Sequence, residues 1–226
     1  MTIEEFKSKF YELKEKGFVP SLRKGPTGIG YTLEEELGIE ENNFALPDIE
    51  GIELKAHRTN VSSLITLFTF NKKVWQIPPL DAVKKYGSKD KNGRLGLYYT
   101  MGLKPNSVGL FLHVTKKEIS VRHISGEIVT IWQTEDLAQR FLEKIPSLMF
   151  VSAFVEERDG IEYFNFYRAQ LMQDTSPELL SDQFKAENIL VDLRLHDKGT
   201  RARNHGTGFR TYEEKLPLLF KNIEEI

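Results

Sequence analysis

Apolar residues at the start of the chain recur three or four positions apart, at Ile3, Phe6, Phe10 and Leu13, with Glu and Lys between them. That spacing predicts an amphipathic helix over residues 2 to 16, stopped by Gly17. Ser21 to Gly30 is too rich in Gly and Pro for a regular element and reads as a loop. In Thr32-Leu33-Glu34-Glu35, an N-cap Thr followed three residues on by Glu35 forms a capping box, which starts a short helix ending near Gly38. From Ile52 to Lys55 the period changes to two, so a strand here turns Glu53 and Lys55 to one face and buries Ile52 and Leu54 on the other. Glu50-Gly51 predicts a tight hairpin turn, which puts Asp48 on the neighbouring strand beside Glu53. Ser63 to Phe70 is a strongly apolar strand expected at the centre of a sheet.

Beyond it, Trp75 to Arg94 contains Pro78-Pro79 and a run rich in Lys, Asp and Gly from Lys84 to Arg94, and reads as a long loop. Alternation then predicts strands at about 108 to 115, 118 to 125 and 128 to 133, followed by a helix from Thr134 to Lys144. Two more strands, about 148 to 156 and 161 to 170, are joined at Asp159-Gly160. Their aromatics (Phe150, Phe154, Tyr163, Phe164, Phe166, Tyr167) sit at strand spacing and read mainly as core. A helix near 176 to 186, a strand from Ile189 to Leu195 and a C-terminal helix over about 211 to 224 complete the chain. The expected class is α/β (α+β), with a mixed sheet flanked by helices.

Composition narrows this picture. A chain of 226 residues, 40% hydrophobic and 28% charged, is long enough for one globular domain of two packed lobes. With no Cys there is no disulfide framework, thiolate zinc site or Cys nucleophile, which fits a cytoplasmic protein. Neither export nor membrane insertion is expected. The net charge is −2, so a nucleic-acid site must be a local basic patch.

Two stretches carry chemistry. Asp48 and Glu53 bring two carboxylates together, a donor set that suits Mg²⁺, and Lys55 on the Glu53 face can stand by an attacking water or a charged phosphorane-like transition state. Glu-x-Lys is also an ordinary charge ladder on any half-exposed strand. If the capping box occupies Glu35, Glu34 or Glu36 is free to supply a further acid. The second stretch runs from Arg194 to Arg210, with five basic residues (Arg194, Lys198, Arg201, Arg203, Arg210) against Asp197, and His196, Asn204 and His205 among them. Arg, Asn and His between glycines are what base-edge and phosphate contacts require, although a solvated loop has similar composition. Asp192 and Arg194 share a strand face. Arg23 and Lys24, in the Gly-rich loop, fit either phosphate contacts or a plain helix-entry turn. The same loop lacks the Gly-Lys-Ser/Thr ending of a nucleotide P-loop.

Taken together, Gly28-Ile29-Gly30-Tyr31-Thr32-Leu33-Glu34, Leu46-Pro47-Asp48, Ile52-Glu53-Leu54-Lys55, Ser63 to Thr69, Tyr86-Gly87 with Lys89-Asp90, Val191 to Arg194 and His205 to Arg210 resemble the MvaI/BcnI family of type II restriction endonucleases. This family falls in the MutH-like branch of the PD-(D/E)xK nucleases. The likeness spans nearly the whole chain. It implies a PD-(D/E)xK core in a single domain over 1–226, whose catalytic lobe (about 1–110) and recognition lobe (about 111–226) clamp double-stranded DNA.

By resemblance, Asp48, Glu53 and the Leu54 carbonyl hold Mg²⁺, for which Mn²⁺ can substitute. Lys55 is the catalytic lysine and Glu34 the supporting helix carboxylate. His57, Asp192, Arg194, Arg203, His205 and Arg210 fall among the DNA-reading positions. The resemblance further implies a monomer cutting one strand at a time at a pseudosymmetric CCNGG-like site, leaving 5′-phosphate ends. No obligate protein partner is expected beyond the pairing with a cognate methyltransferase. The chain departs from the MvaI pattern where Arg203 replaces a His and Gly208 an Ala, so the central-base preference does not carry over. A MutH-like mismatch-repair nickase and a DNA-binding protein with a vestigial site are the competing functions.

Overall fold

A computed structural model describes residues 1–39 and 49–226. In chain order its elements are α1 (Ile3–Lys16), β1 (Phe18–Pro20), α2 (Gly28–Leu37), β2 (Glu53–Arg58), β3 (Leu64–Thr69), α3 (Pro79–Tyr86), β4 (Ser88–Lys89), β5 (Leu95–Met101), β6 (Leu110–Val114) and β7 (Glu118–His123). They continue with β8 (Ile128–Gln133), α4 (Thr134–Lys144), β9 (Ser147–Arg158), β10 (Ile161–Gln173), α5 (Pro177–Lys185), β11 (Ile189–Asp197), β12 (Ala202–Asn204) and β13 (Gly208–Tyr212). A 3-10 helix (Glu213–Leu219) and β14 (Asn222–Glu225) end the chain.

The chain divides into two compact units. Met1–Ser63, Ile145–Asp174 and Phe220–Ile226 form the first, and Leu64–Lys144 with Thr175–Leu219 the second. The reason lies in strand pairing. β2 lies parallel to β9, with Glu53 opposite Leu148, Lys55 opposite Phe150 and His57 opposite Ser152. Parallel neighbours need a long connection, and most of the second unit is inserted in it.

The first unit has a five-stranded sheet in the order β1-β10-β9-β2, with β14 also paired to β10. β9 and β10 form the expected hairpin. Asp159 and Gly160 both have positive φ (53° and 76°), as a two-residue type I′ turn requires. Phe6, Phe10 and Leu13 of α1 and Leu33 and Leu37 of α2 pack into one core with Val151, Phe164 and Phe166 of the hairpin. Each fully buried side chain of this size contributes about 1.5–3 kcal/mol. At the start of α1, Thr2 and Glu5 make a reciprocal capping box.

The capping box expected at Thr32 does not form. α2 begins four residues earlier, at Gly28, and Thr32 is buried inside it. Its hydroxyl donates to the Gly28 carbonyl at 2.8 Å and accepts from the Leu22 N–H at 3.0 Å. Only glycine fits at this helix start because the preceding loop packs tightly on it: a Cβ at Gly28 would lie 2.2 Å from the Arg23 carbonyl oxygen. Glu35 is exposed.

The second unit holds a six-stranded sheet, β3-β13-β11-β5-β4 with β12 on β11, and a three-stranded meander, β6-β7-β8. The meander and α4 match the sequence pattern. β3, expected to be central, is an edge strand; only Leu67 and Phe68 are buried in it. β11 is the middle strand, with Val191, Leu193 and Leu195 buried in alternation.

The long loop expected from Trp75 to Arg94 is largely structured. Pro78 and Pro79 start α3, where a missing N–H costs nothing, and Ala82, Val83 and Tyr86 form its buried stripe. β5, for which the sequence pattern predicts no element, pairs with β4 and β11. The predicted C-terminal helix is replaced by the 3-10 turn and β14, because Pro217 falls inside it and cannot donate to an α-helical ladder.

Candidate active site and nucleic-acid interface

In the first unit, Ile49 and Ile52 exchange backbone hydrogen bonds of 3.2 and 2.7 Å. The two residues between them, Glu50 and Gly51, have φ of 45° and 89°. The predicted tight turn is therefore present, with the positive φ angles of type I′, and both isoleucines anchor it by burial in the core. Asp48 lies outside the described residues. Beyond the turn, β2 directs Leu54 and Ala56 toward the core and Glu53, Lys55 and His57 to the opposite face. Glu53 is exposed and Lys55 half-buried. His57 is buried, its ring 5.3 Å from that of Phe150 at 19°. Glu34 is half-buried on α2. Among the described residues, no three acidic or histidine side chains form a cluster able to hold a metal ion.

Arg58, the last residue of β2, was not singled out in the sequence, yet it fixes the Gly-rich loop. Its guanidinium pairs with Glu162 at 2.9 Å and donates to the carbonyls of Pro26 (2.8 Å) and Gly25 (3.1 Å). It lines a cavity of about 680 Å³ with Arg23, Lys24 and Glu162. Both Arg23 and Lys24 are exposed, and the Arg23 guanidinium lies 3.8 Å from the centre of the Tyr31 ring. An Arg closing an otherwise alternating strand was the available signal.

The second unit gathers the other predicted residues on β11, β12 and β13. Asp192 is buried and accepts from Arg194 Nε at 2.7 Å, Arg210 Nη1 at 3.2 Å and Thr100 Oγ1 at 3.3 Å. Arg210 also donates to the Leu64 carbonyl at 2.7 Å. One carboxylate thus positions two guanidinium groups. The Arg194 side chain remains 46% exposed, so it keeps donors for a ligand. Asp192 lies opposite Gly208, where a Cβ would find only ordinary contacts of 3.7–3.8 Å, so an Ala there would fit.

Arg203 and His205 are exposed. His205 Nε2 lies 3.0 Å from Nδ1 of His196, which is itself 3.1 Å from the Tyr98 hydroxyl. Burial, then Arg94 and Lys198 nearby, hold the His196 pKa below its ordinary value. Sequence reading places His196 in the basic stretch without a role of its own and does not single out Tyr98. Lys85, in the stretch expected to be loop, is tied to Glu127 at 2.7 Å.

The family model for MvaI/BcnI restriction endonucleases matches residues 7–220. The chain belongs to the MvaI/BcnI restriction endonuclease family. It is a type II site-specific deoxyribonuclease. Two solved structures show the same fold. The complex of restriction endonuclease MvaI with its cognate DNA substrate is 26% identical, with a TM-score of 0.63, covering 98% of this chain and 97% of that one. MvaI in the absence of DNA is 24% identical with a TM-score of 0.65, covering 99% and 97%. No curated protein matches the chain by sequence. No helix among the described residues is long and apolar enough to cross a membrane.

Proposed function

We infer that this MvaI/BcnI-family enzyme hydrolyses duplex DNA with Mg²⁺ at a PD-(D/E)xK site formed by Asp48, Glu53, the Leu54 carbonyl and Lys55, supported by Glu34. The observation that carries the reading is the type I′ turn leading directly into a strand that sets Glu53 and Lys55 on one face. The donors fit the ion: all are oxygens, Glu53 is exposed, and Mg²⁺ prefers one or two carboxylates plus water and phosphate to a closed protein cage. When bound, the ion supplies Lewis-acid activation of water and neutralises charge on the phosphate. Lys55 holds an ammonium where negative charge develops on the phosphorus-bound oxygens, and Glu34 orients the site from α2.

DNA is the substrate by analogy with the MvaI complex. Arg194, Arg210 and His205 read base edges, with Asp192 fixing the two arginines; Arg203, Arg23 and Lys24 meet phosphates, and His57 contributes from the β2 face. Family likeness supports a monomer acting at a CCNGG-like pseudosymmetric site, cutting the strands in turn to leave 5′-phosphates in the cytoplasm, alongside a cognate methyltransferase.

The purified protein alone should cut unmethylated plasmid into discrete fragments with Mg²⁺ or Mn²⁺ and not in EDTA. Asp48→Ala should abolish cutting while leaving sequence-specific binding in Ca²⁺ intact, because the ligands hold the ion and not the bases. Undiminished cleavage by Asp48→Ala would sink the assignment, and nicking that needed added proteins would favour a mismatch-repair role.

A further inference from the structure

Two residues beyond Arg194, the middle strand β11 carries a histidine that base reading does not use directly. His196 is 2% exposed. Its Nδ1 meets both His205 Nε2 (3.0 Å) and the Tyr98 hydroxyl (3.1 Å), while its Nε2 is buried with no hydrogen-bond partner among the described residues. The two imidazoles are inclined by only 26°, with centroids 4.9 Å apart. His205 is also anchored through its backbone N–H, which donates to the Arg194 carbonyl at 2.8 Å.

We propose that His196 is a positioning residue that fixes the proton of His205 on Nδ1, so that His205 offers DNA a hydrogen-bond donor and selects an acceptor-bearing base edge, guanine N7 or O6, adenine N7 or thymine O4, against cytosine. This rests on the reading of His205 as a base contact.

Proton bookkeeping decides the direction. Each neutral imidazole has one N–H, giving four arrangements of the pair. Protons on both His196 Nδ1 and His205 Nε2 point two hydrogens at each other. A proton on His196 Nε2 leaves a donor buried without an acceptor, whichever tautomer His205 adopts, and orphaned buried N–H groups are rarer than under-satisfied acceptors. The remaining arrangement puts a proton on Nδ1 of each ring. His196 Nδ1–H then donates to His205 Nε2, the buried His196 Nε2 is a bare acceptor, and His205 Nδ1–H is the free donor. Tyr98, itself 44% exposed, can turn its hydroxyl hydrogen to solvent. The positive charges of Arg94, Lys198 and Arg203 act with burial to keep His196 from taking a second proton.

The outward donor has consequences at a base edge. In the major groove guanine, thymine and adenine (at N7) present acceptors where cytosine presents only an amino donor. An outward acceptor on His205 would select the reverse.

Nitrogen-15 imidazole spectra of the intact wild-type protein at neutral pH read the tautomers directly. Both His196 and His205 should show the proton on Nδ1; a proton on Nε2 of His205 would overturn the proposal. A second arm compares His196→Asn with His196→Leu on duplexes in which each base pair of the mapped cleavage site is replaced in turn. Asn can still donate to His205 Nε2 and should keep discrimination, whereas Leu should lose roughly ten- to a hundred-fold of it at one base pair. Equal losses in both variants would reduce His196 to a packing role and overturn the proposal. His205→Ala separates the two readings. If it leaves discrimination intact at every base pair, His205 is no base contact and both fail. If it removes discrimination while the spectra place the His205 proton on Nε2, only the tautomer relay fails.

Discussion

Lys55 and Thr32 show how differently a single residue can matter. Lys55→Ala should lower the cleavage rate by about 10²–10³-fold or more, since one positioned charge at a developing oxyanion contributes roughly 3–4 kcal/mol. Single-turnover cleavage with saturating DNA measures this, and a rate within a few-fold of wild type would make Glu53-x-Lys55 a surface charge ladder. Thr32 has no such role and yet supports the site through α2. Thr32→Val leaves the Leu22 N–H without its acceptor and should cost about 1–3 kcal/mol of stability. Glu35→Ala, at an exposed position outside any capping box, should leave the melting temperature within error. A large drop from Glu35→Ala, or none from Thr32→Val, would restore the helix start that the sequence suggested.

Elements that depend on local rules were legible in the sequence, and those that depend on distant neighbours were not. α1, the β6-β7-β8 meander, α4 and the β9-β10 hairpin each follow from periodicity and turn residues within about a dozen positions. The start of α2 was missed because Thr32 resembles a cap, whereas its hydroxyl is engaged with Gly28 and Leu22 inside the fold. α3 was missed because paired prolines read as loop, although Pro79 sits where a helix accepts it. β3 was placed centrally on hydrophobicity alone, which cannot reveal which strands flank it. At the site, the Glu53 and Lys55 face and the Asp192 and Arg194 pairing were visible from period two. The His196–His205 contact joins β11 to the loop after β12, and no local pattern announces it.

The two type I′ turns allow a matched test. Gly51→Ala and Gly160→Ala each place a side chain at positive φ (89° and 76°) and should each cost about 1 kcal/mol or more. Only Gly51→Ala should also reduce cleavage at temperatures where both variants are folded, because the Glu50-Gly51 turn leads into the strand that carries Glu53 and Lys55. Equal activity in the two would separate the turn from the site.

For the whole molecule, the path of the chain outweighs its length. It passes between the two units four times, after Ser63, Lys144, Asp174 and Leu219. A fragment of residues 1–110 therefore contains β2 without β9 or β10. It should show no cooperative thermal transition by circular dichroism, because an edge strand with no sheet cannot bury its apolar face. A sharp melt from that fragment would mean that residues 1–110 fold alone.

The same interleaving sets a timetable for synthesis. While the ribosome has delivered only the residues up to Lys144, the nascent chain already carries Glu53 and Lys55 but lacks the strand beside which they are aligned. That strand and its hairpin partner arrive with residues 147 to 173, and the final strand of their sheet comes only at residues 222 to 225. The proposed site therefore cannot be set on its sheet until β9 and β10 have been made. An unfinished or prematurely released product carries Glu53 and Lys55 without the strand beside which they are aligned.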